Sequence, residues 1–374
     1  MALKKVLVVG GGIGGLSAAI ALSRRGIAVD LVEINTKFTV YHVGIIVQAN
    51  LIRAMKELGL ANKLVAAGFP YRGVEMCDAD GKCLKHVQGP RIAGDEYPSD
   101  LGMGRPALHK VLTEAVHETT TDIRLGVTFT EIDQRGDHVH VTFTDGTERD
   151  YDVVLGCDGV YSKVRASVFG PQYKPEFTGQ GVWRYNVPRP EGLDVAALYS
   201  GDGGKAGFVP LTPDTMYILM VREEKGNPQM PPERLAELFR ERLAGFGGYV
   251  GEARDKYITD SSQVVYRPLE ALLMPAPWYR GRVLLMGDSA HATTPHMGQG
   301  AAQAVEDAVV FAELAMTDLP VEDMLNQFME RRYERCKFIW EASIQVGNWE
   351  MTRDPAADHA SLRVKMLETV AAPL

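Results

Sequence analysis

The chain opens with hydrophobic runs that predict a strand, a helix and a second strand. Residues 5–10 form a short apolar run, residues 15–25 repeat apolar positions at helical spacing, and residues 29–33 form another short run. Two parallel strands joined by a helix are the unit from which doubly wound sheets are built. We therefore predict that the fold begins as a doubly wound α/β structure.

Helical and hairpin patterns follow this opening. Residues 50–60 and 106–118 repeat apolar positions at the spacing of a helix. Residues 74–77 and 82–87 lie on either side of Asp80-Gly81, a pair that favours a tight hairpin turn. This part of the chain therefore predicts two helices separated by a β-hairpin.

Alternating apolar and polar positions dominate residues 123–155. Three such runs are separated by Arg135-Gly136-Asp137 and by Asp145-Gly146, which are both turn sequences. We predict an antiparallel meander over this segment, ending in Gly156-Cys157-Asp158-Gly159.

The middle of the chain, residues 177–266, carries further strand-like runs. They include residues 207–211 and 216–221, and one helical stretch follows Pro231-Pro232. We predict a second, sheet-bearing domain in this region.

The last part of the chain returns to a short apolar strand and then becomes helical. The strand is expected at residues 282–286, a helix from about Gln303, and a long helical region after Pro320. We predict a mixed α/β (α+β) fold with three parts. The first part is a discontinuous Rossmann-like cofactor domain formed by residues 1–72, 100–175 and 266–345. The second is a β-sheet substrate domain formed by residues 73–99 and 176–265. The third is a C-terminal helical tail, residues 346–374.

The composition excludes several classes of function. The chain has 374 residues with 45% hydrophobic and 24% charged positions, which is typical of a globular protein. The formal net charge is −8 and the basic residues are scattered, so no nucleic-acid partner is expected. The four cysteines form no CxxC pair and no zinc-like cluster, so we expect neither disulfides nor a metal. No apolar run is long enough to span a bilayer, and we expect a cytoplasmic protein without a membrane partner.

A glycine-rich motif joins the first predicted strand to the first helix. Its sequence, Gly10-Gly11-Gly12-Ile13-Gly14-Gly15, satisfies GxGxxG, and Glu33 ends the next strand. Gly10 permits a tight turn, Gly12 lets the backbone approach a pyrophosphate, and Gly15 allows close packing of helix on strand. An acid at position 33 can bind a ribose and disfavours a 2′-phosphate, so the motif predicts FAD or NAD. A fortuitous glycine-rich turn is the alternative explanation.

Two later segments resemble a known family. Residues 156–165, which contain Asp158-Gly159, resemble the Asp-Gly fingerprint of class A flavoprotein aromatic monooxygenases. Residues 287–291, with Pro295 and Gly298-Gln299-Gly300, resemble the Gly-Asp fingerprint of the same family. This family has the para-hydroxybenzoate hydroxylase fold, and the chain is similar to its salicylate-, hydroxybenzoate- and urate-hydroxylase-like members.

The resemblance implies which residues bind the cofactor. FAD is expected, with Asp288 bonded to the ribityl chain and Arg105 near a helix start. Asp158 is implied in both FAD binding and nicotinamide use, although a cap for the following helix is an equal alternative. The full set of cofactor-binding candidates is Gly10, Gly12, Gly14, Gly15, Glu33, Arg105, Asp158, Asp288, Gly298, Gly300 and Ala301.

The resemblance also implies the reaction. NADH or NADPH acts as a transient co-substrate that reduces the flavin, O2 forms a C4a-hydroperoxyflavin, and its distal oxygen attacks an electron-rich ring carbon. The expected partners are a small aromatic or heteroaromatic substrate and O2, and the expected assembly is a monomer or homodimer.

Candidates for the substrate site come from the glycine-rich loop and from the middle domain. His296 is a candidate base and Pro295 resembles a family proline whose carbonyl lies near the substrate, while Tyr217 is a third catalytic candidate. Trp183, Tyr185 and Phe208 are candidates for a substrate wall, although ordinary sheet packing explains such aromatic residues equally well. Alternation along a strand places Arg184 on the opposite face from Trp183 and Tyr185.

Other classes of protein remain open from the sequence. An NAD-dependent dehydrogenase would need GxGxxG and Glu33, but it would not need the Asp-Gly and Gly-Asp segments. A non-oxygenating FAD oxidoreductase of the same fold is a further alternative, although the WxWxIP segment of flavin halogenases does not occur. A scaffold that retains FAD without catalysis would show bound flavin and no substrate-stimulated NAD(P)H oxidation.

Overall fold

The computed structural model describes residues 3–201 and 204–374. Its strands are β1 (Lys5–Val9), β2 (Ala28–Glu33), β3 (Gly44–Gln48), β4 (Phe69–Pro70), β5 (Val74–Cys77), β6 (Cys83–Val87), β7 (Asp100–Gly104), β8 (Asp122–Leu125), β9 (Phe129–Gln134), β10 (Val139–Phe143), β11 (Glu148–Tyr151), β12 (Val153–Gly156), β13 (Glu176–Pro188), β14 (Ala196–Gly201), β15 (Gly204–Pro210), β16 (Thr215–Glu223), β17 (Val265–Ala271), β18 (Tyr279–Arg280) and β19 (Val283–Leu285). Its α-helices are α1 (Ile13–Ser23), α2 (Ala49–Glu57), α3 (Ala61–Ala66), α4 (Arg105–His117), α5 (Lys163–Phe169), α6 (Leu235–Arg242), α7 (Gly248–Lys256), α8 (Asp288–His291), α9 (Gly300–Leu314), α10 (Val321–Thr352) and α11 (His359–Ala371).

A six-stranded sheet forms the centre of the first fold layer, with strand order β18-β19-β12-β1-β2-β8. Strand β1 pairs in parallel with β12 on one side and with β2 on the other. Residues Val6, Leu7, Val8 and Val9 of β1 are all buried, because helices cover both faces of a parallel sheet. The predicted mixed α/β, Rossmann-like fold class is confirmed.

The predicted meander over residues 123–155 is only partly correct. Strands β9, β10 and β11 form a three-stranded antiparallel sheet, but β8 and β12 pair in parallel with β2 and β1 in the central sheet. Strand β12 is buried along its whole length, which suits a central parallel strand and not the edge of a meander. Alternation predicted the strands here without identifying the partners of the outer two.

A seven-stranded sheet forms the second layer, with strand order β17-β13-β16-β15-β14-β5-β6. Helices α6 and α7 pack on one of its faces, and the small sheet β3-β7-β4 lies against the other. The predicted domain boundaries stay a prediction. Strand β17 begins at residue 265 and belongs to this sheet, and helix α10 runs without interruption across residue 346.

Helices α9 and α10 connect the layer of the six-stranded sheet to the layer of the seven-stranded sheet. Helix α9 begins at Gly300, three residues before the position expected from the sequence, and packs against α1. The 32-residue helix α10 then crosses α9 and reaches strands β13, β15 and β16. Within the described ranges, no helix combines the length and the apolar character that crossing a membrane requires.

Candidate cofactor and substrate cleft

The first glycine loop is shaped so that its backbone borders open space. Gly10 has a φ of +110°, and a Cβ there would lie 2.4 Å from the carbonyl oxygen of Cys157. A Cβ on Gly15 would lie 1.9 Å from the carbonyl oxygen of Gly10. A Cβ on Gly12 would instead meet nothing within 4 Å. Gly12 therefore opens a cradle at the start of α1, where no side chain caps the helix.

Two side chains hold this loop in place. Glu33 accepts a hydrogen bond from the backbone N–H of Gly11 at 2.8 Å, and its other oxygen accepts from Asn35. The buried His109 ring lies with Nε2 2.9 Å from the carbonyl oxygen of Gly11. A carboxylate can accept about four hydrogen bonds, so Glu33 keeps acceptor capacity for a ribose beside the loop.

Asp288 and Arg105 line the same cleft. Asp288 is accessible to solvent in the cleft, but many protein atoms surround its carboxyl group. The resulting loss of solvation raises the pKa of Asp288, although the charges of His291 and Arg105 act to lower it. The Nε of Arg105 is buried and has no hydrogen-bond partner among residues 3–201 and 204–374. An acceptor and a donor without protein partners are what a polar ligand requires.

The second glycine loop leads into α9. Gly298 adopts the left-handed conformation with φ +66°, and a Cβ there would lie 2.7 Å from Nε2 of Gln48. No side chain caps the N-terminus of α9 at Gly300, and Ala301 is partly exposed there. Free N–H groups at this helix start favour negative charge.

A buried ionic network fixes the strand end that carries Asp288. Asp307 accepts hydrogen bonds from the N–H of Gly287 at 2.8 Å, from His291 at 2.7 Å and from Arg332 at 2.8 Å. Burial opposes charge on His291, but Cys336 and Asp307 outweigh it and raise the pKa of His291 well above its ordinary value. The network ties the Asp288 loop to α9 and α10.

His291, Asp307 and Cys336 also lie within 4.8 Å of one another through their potential ligand atoms. Arg332 donates hydrogen bonds to Asp307 and to the sulfur of Cys336. The Arg332 guanidinium already binds the acceptors that a metal ion would need. We therefore interpret the cluster as a charge network and not as a metal site.

Asp158 acts as a cap in this structure. Its Oδ2 accepts from the N–H groups of Lys163 and Val164 at 2.7 and 3.0 Å, and its Oδ1 accepts from Ser162 at 2.5 Å. These bonds satisfy the first N–H groups of α5. The helix-cap alternative thus has direct geometric support, and a contact of Asp158 with the cofactor stays a prediction.

The aromatic candidates for a substrate wall face the wrong side of the seven-stranded sheet. Trp183, Tyr185 and Phe208 are 0%, 7% and 3% exposed and belong to the hydrophobic cluster that α6 and α7 cover. Trp183 stacks on Phe239 of α6 with ring centroids 5.8 Å apart. The wall of these three residues stays a prediction that this packing does not support, because aromatic side chains on this face pack against helices α6 and α7.

Arg184 and Tyr217 occupy the opposite face, on which the small sheet β3-β7-β4 packs. Arg184 pairs with Leu219 and Asn186 with Tyr217, so these positions share a face. A Cβ on Gly44 of β3 would lie 2.1 Å from the Tyr217 ring, which shows how closely the small sheet covers this face. Neither the Tyr217 hydroxyl nor the Arg184 guanidinium has a hydrogen-bond partner in the described part of the chain.

The position of Arg184 disfavours its positive charge. Burial, together with the nearby charge of Arg105, lowers the pKa of Arg184 to about 10, while Tyr217 acts in the opposite direction. Burial likewise raises the pKa of Tyr217. An enclosed cation beside an unpaired hydroxyl is suited to bind an anion or a polarised oxygen. Sequence reasoning placed Arg184 on the correct face but gave it no role.

His296 and Pro295 lie in a 3₁₀ turn, Pro295–Met297, that precedes the second glycine loop. The His296 side chain is fully buried, with Nδ1 2.8 Å from Oγ1 of Thr294. The carbonyl oxygen of Pro295 accepts from the N–H of Gly298 at 3.0 Å. The catalytic roles of both residues stay predictions.

Lys205 and Glu350 were not identified from the sequence, although both approach His296. Glu350 lies on the last turn of α10, and its carboxylate is 3.3 Å from His296 and 2.8 Å from Lys205. The three residues are far apart in the chain and carry no shared motif. Only the packing of α10 on the sheet brings them together.

The cleft as a whole fits FAD. The open cradle at Gly12 suits a pyrophosphate, the uncapped start of α9 suits the electron-rich edge of a flavin, and Asp288 with Arg105 offers polar groups between them. Four more cofactor-binding candidates lie on the same two loops and helix starts: Gly14, Gly15, Gly298 and Ala301. Glu33 ends β2 and contacts the first loop through Gly11.

Comparisons with known proteins agree with this geometry. A family model described as FAD binding domain matches residues 4–335. The chain is 35% identical to the 2-heptyl-3-hydroxy-4(1H)-quinolone synthase of Pseudomonas aeruginosa, over 92% of this chain and 90% of that protein. It is 32% identical to the 3-amino-4-hydroxybenzoate 2-monooxygenase of Streptomyces cremeus, over 81% and 76%.

A solved structure shares the fold over nearly the whole chain. HpxO of Klebsiella pneumoniae, complexed with FAD and uric acid, superposes with a TM-score of 0.84 at 23% identity, covering 98% of this chain and 92% of that one. This similarity establishes the fold of the two layers and of the long C-terminal helix.

Proposed function

The chain belongs to the FAD-binding family of aromatic monooxygenases, and from this membership we propose that it hydroxylates a ring carbon of a small heteroaromatic compound of the 4-quinolone type. It is an FAD-dependent monooxygenase with NADH or NADPH as co-substrate. We propose O2 as the oxidant: one oxygen atom enters the product, the other leaves as water, and NAD(P)H supplies two electrons. The NAD-dependent dehydrogenase alternative does not account for the family match.

The observation that carries the proposal is the pair of polar groups without hydrogen-bond partners among the described residues, Arg184 and Tyr217, beside apolar side chains of the same sheet face. Arg184 and Tyr217 stand on the sheet face that also presents Val209 and Leu219, and Ile46 packs on this cluster from β3. Apolar area favours a flat aromatic ring, and a few polar groups fix its orientation. The wall therefore suits a ring system with one or two polar substituents.

The chain's own residues define how FAD would be held. The N–H groups around Gly12 would bind the pyrophosphate, Asp288 the ribityl hydroxyls, and the start of α9 at Gly300 the flavin edge. When bound, the flavin supplies the electron transfer and oxygen activation that no side chain can perform. The remaining task of the protein is to bind and orient the substrate and to exclude water from the reacting atoms.

Arg184 has a further role in the chemistry of the substrate. A ring carbon becomes nucleophilic when a neighbouring ring hydroxyl or N–H loses its proton. A nearby cation lowers the pKa of such a group, and the guanidinium of Arg184 has no carboxylate partner among the described residues that would cancel this effect. The Tyr217 hydroxyl can donate a hydrogen bond to the resulting oxyanion.

The quinolone class follows from similarity combined with this wall. The P. aeruginosa relative is named for a 2-heptyl-3-hydroxy-4(1H)-quinolone product and matches 92% of the chain. A 4-quinolone combines a flat bicyclic ring, a carbonyl oxygen for Arg184 or Tyr217, and an ionisable ring N–H.

The test is a substrate panel with the FAD-loaded protein. NADH and NADPH oxidation would be measured with 2-alkyl-4-quinolones, hydroxybenzoates, pyridine carboxylates, indoles and purines, and the product masses recorded. We expect the quinolones to stimulate oxidation most strongly and to gain one oxygen. Arg184→Met should abolish that stimulation, whereas the surface control Lys256→Met should retain it. Stimulation by purines or benzoates without any by quinolones would contradict the proposed substrate class.

A further inference from the structure

Three charged or titratable side chains from separate elements meet at the end of helix α10. Lys205 comes from β15, His296 from the 3₁₀ turn Pro295–Met297, and Glu350 from the last turn of α10. Glu350 accepts a hydrogen bond from Lys205 at 2.8 Å, and its second oxygen lies 3.3 Å from Nε2 of His296. We call these three residues the α10 clasp.

The clasp is enclosed. The His296 side chain is 0% exposed, and those of Lys205 and Glu350 are each 16% exposed. A Cβ on Gly347 of α10 would lie 3.1 Å from the His296 ring, so the helix packs directly on it. Buried polar groups in such a position require partners; Nδ1 of His296 contacts Thr294, and Nε2 faces the charged pair.

The clasp lies on the substrate wall. Lys205 is opposite Val221 in the pairing of β15 with β16, and Tyr217 and Leu219 share the face of Val221. Lys205 therefore stands on the same face as Arg184 and Tyr217, farther along the sheet. One N–H of its ammonium bonds Glu350 and the group has two more to donate.

One hydrogen bond in the clasp is incomplete. Nε2 of His296 and Oε2 of Glu350 are both buried and, within residues 3–201 and 204–374, neither forms a hydrogen bond of good geometry. If Nδ1–H donates to Thr294, Nε2 presents a lone pair to the carboxylate. Binding of a proton at Nε2 would turn this contact into an ion pair.

The charged neighbours of His296 act in opposite directions. Burial and the ammonium of Lys205 lower the pKa of His296, whereas Glu350 raises it. Burial alone would raise the pKa of Glu350, but Lys205 and His296 outweigh it and lower the pKa to about 2. In the described part of the chain these are the charged groups that bear on His296, from β15 and from α10. At neutral pH the clasp holds one ammonium, one carboxylate and a neutral imidazole.

We propose that Glu350 is a positioning residue of the hydroxylation site, which fixes Lys205 and His296 on the substrate wall and seats the end of α10 against it. This role rests on the proposed function, since it assumes that a substrate lies on that wall. When His296 gains a proton, it competes with Lys205 for the Glu350 carboxylate. This competition weakens the hydrogen bond between the Lys205 ammonium and Glu350. Substrate binding should therefore weaken on the acid side as His296 titrates.

The first test follows His296 without substrate. The FAD-loaded protein with ¹³C-labelled histidine would be titrated by NMR as wild type, Glu350→Gln, Lys205→Met, Lys205→Arg and the surface control Glu252→Gln, which breaks the exposed pair of Glu252 with Lys256. We expect the His296 pKa to fall in Glu350→Gln, to rise in Lys205→Met, and to stay near wild type in the other two. Shifts in one common direction, or none, would overturn the coupling.

The second test uses the best substrate of the panel. Glu350→Gln should raise KM about tenfold, the effect of one charged hydrogen bond, while kcat changes less and the flavin content stays at the wild-type value. The acid limb of kcat/KM that arises from competition for the Glu350 carboxylate should be lost in this variant, because glutamine carries no charge. An unchanged KM and pH profile would overturn the positioning role. If no compound is turned over by the wild type, the proposed function fails, and the NMR titration still decides whether Glu350 and Lys205 control His296.

Discussion

Gly14 at the start of α1 and Ala304 in the second turn of α9 pack so closely that a Cβ on Gly14 would lie 3.3 Å from the Cβ of Ala304. Such a distance is shorter than most contacts of a Cβ atom. The starts of α1 and α9, which are far apart in the chain, therefore lie side by side. The cradle at Gly12 lies two residues before Gly14, and the uncapped start of α9 at Gly300 lies four residues before Ala304.

The contact predicts different effects for two neighbouring glycines. Gly14→Val should lower the free energy of unfolding by about 1–3 kcal/mol, because extra methyl groups overpack the α1–α9 contact. Gly12→Ala should leave the flavin-free protein as stable as wild type, because its Cβ meets open space, but should weaken FAD binding. Urea unfolding and FAD titration would measure both. Destabilisation by Gly12→Ala equal to that by Gly14→Val would contradict this geometry.

The buried network below Asp288 predicts a large effect for a small change. In Asp307→Asn, Arg332 loses one of its two buried carboxylate partners and keeps Glu306, and His291 loses a charge that helps to raise its pKa. Breaking a buried pair in this way should cost about 3–5 kcal/mol in the free energy of unfolding.

An exposed pair is the matched control for that change. Asp255→Asn removes the surface partner of Arg254 and should cost less than about 1 kcal/mol. Similar losses for Asp307→Asn and Asp255→Asn in urea unfolding would show that the network does not support the cleft.

Arg184 predicts opposite effects on stability and on binding. Arg184→Met removes an enclosed cation that lacks a carboxylate partner among the described residues, and should raise the free energy of unfolding of the flavin-free protein by about 1 kcal/mol. The same variant should bind substrate at least about tenfold more weakly, since a charged hydrogen bond is lost. Arg184→Lys, which keeps the charge, is the comparison. Wild-type substrate affinity in Arg184→Met, measured by flavin fluorescence, would contradict the role of this residue.

The lowered pKa of Glu350 predicts how stability depends on acid. Its pKa is about 2 in the folded protein against 4.5 in an unfolded chain, so its contribution is present above pH 4.5 and is lost as pH falls. Between pH 6 and pH 3 the wild type should lose about 2 kcal/mol more than Glu350→Gln. Equal losses in the two proteins, measured by urea unfolding at each pH, would contradict the ion pair with Lys205.

Local sequence patterns predicted the elements of the cleft well. The signals used were all short-range: the apolar run before Gly10, the spacing of the glycines and the position of Glu33. Strand β1, helix α1 and strand β2 lie close to the bounds that these signals predicted. The Asp-Gly and Gly-Asp segments added the end of β12 and the loop after β19. Each of these depends on residues that are neighbours in the chain.

Contacts between distant segments could not be predicted in the same way. Alternation correctly separated Trp183 from Arg184, but it could not show which face α6 and α7 would cover, so the aromatic wall stays a prediction without support from this packing. Glu350 meets Lys205 across 145 positions of the chain, and only the packing of α10 creates that pair. The meander over residues 123–155 was correct for β9, β10 and β11 but not for β8 and β12, because alternation does not identify the partner of a strand.

The measurement that tests the central claim most directly is the origin of the oxygen in the product. The FAD-loaded protein would be supplied with NADH or NADPH, a 2-alkyl-4-quinolone and ¹⁸O2, and the product examined by mass spectrometry. We predict a product that carries one ¹⁸O atom, with NAD(P)H consumed in proportion to product. Oxidation of NAD(P)H without ¹⁸O in any organic product, across all substrates of the panel, would contradict the assignment as a hydroxylating monooxygenase.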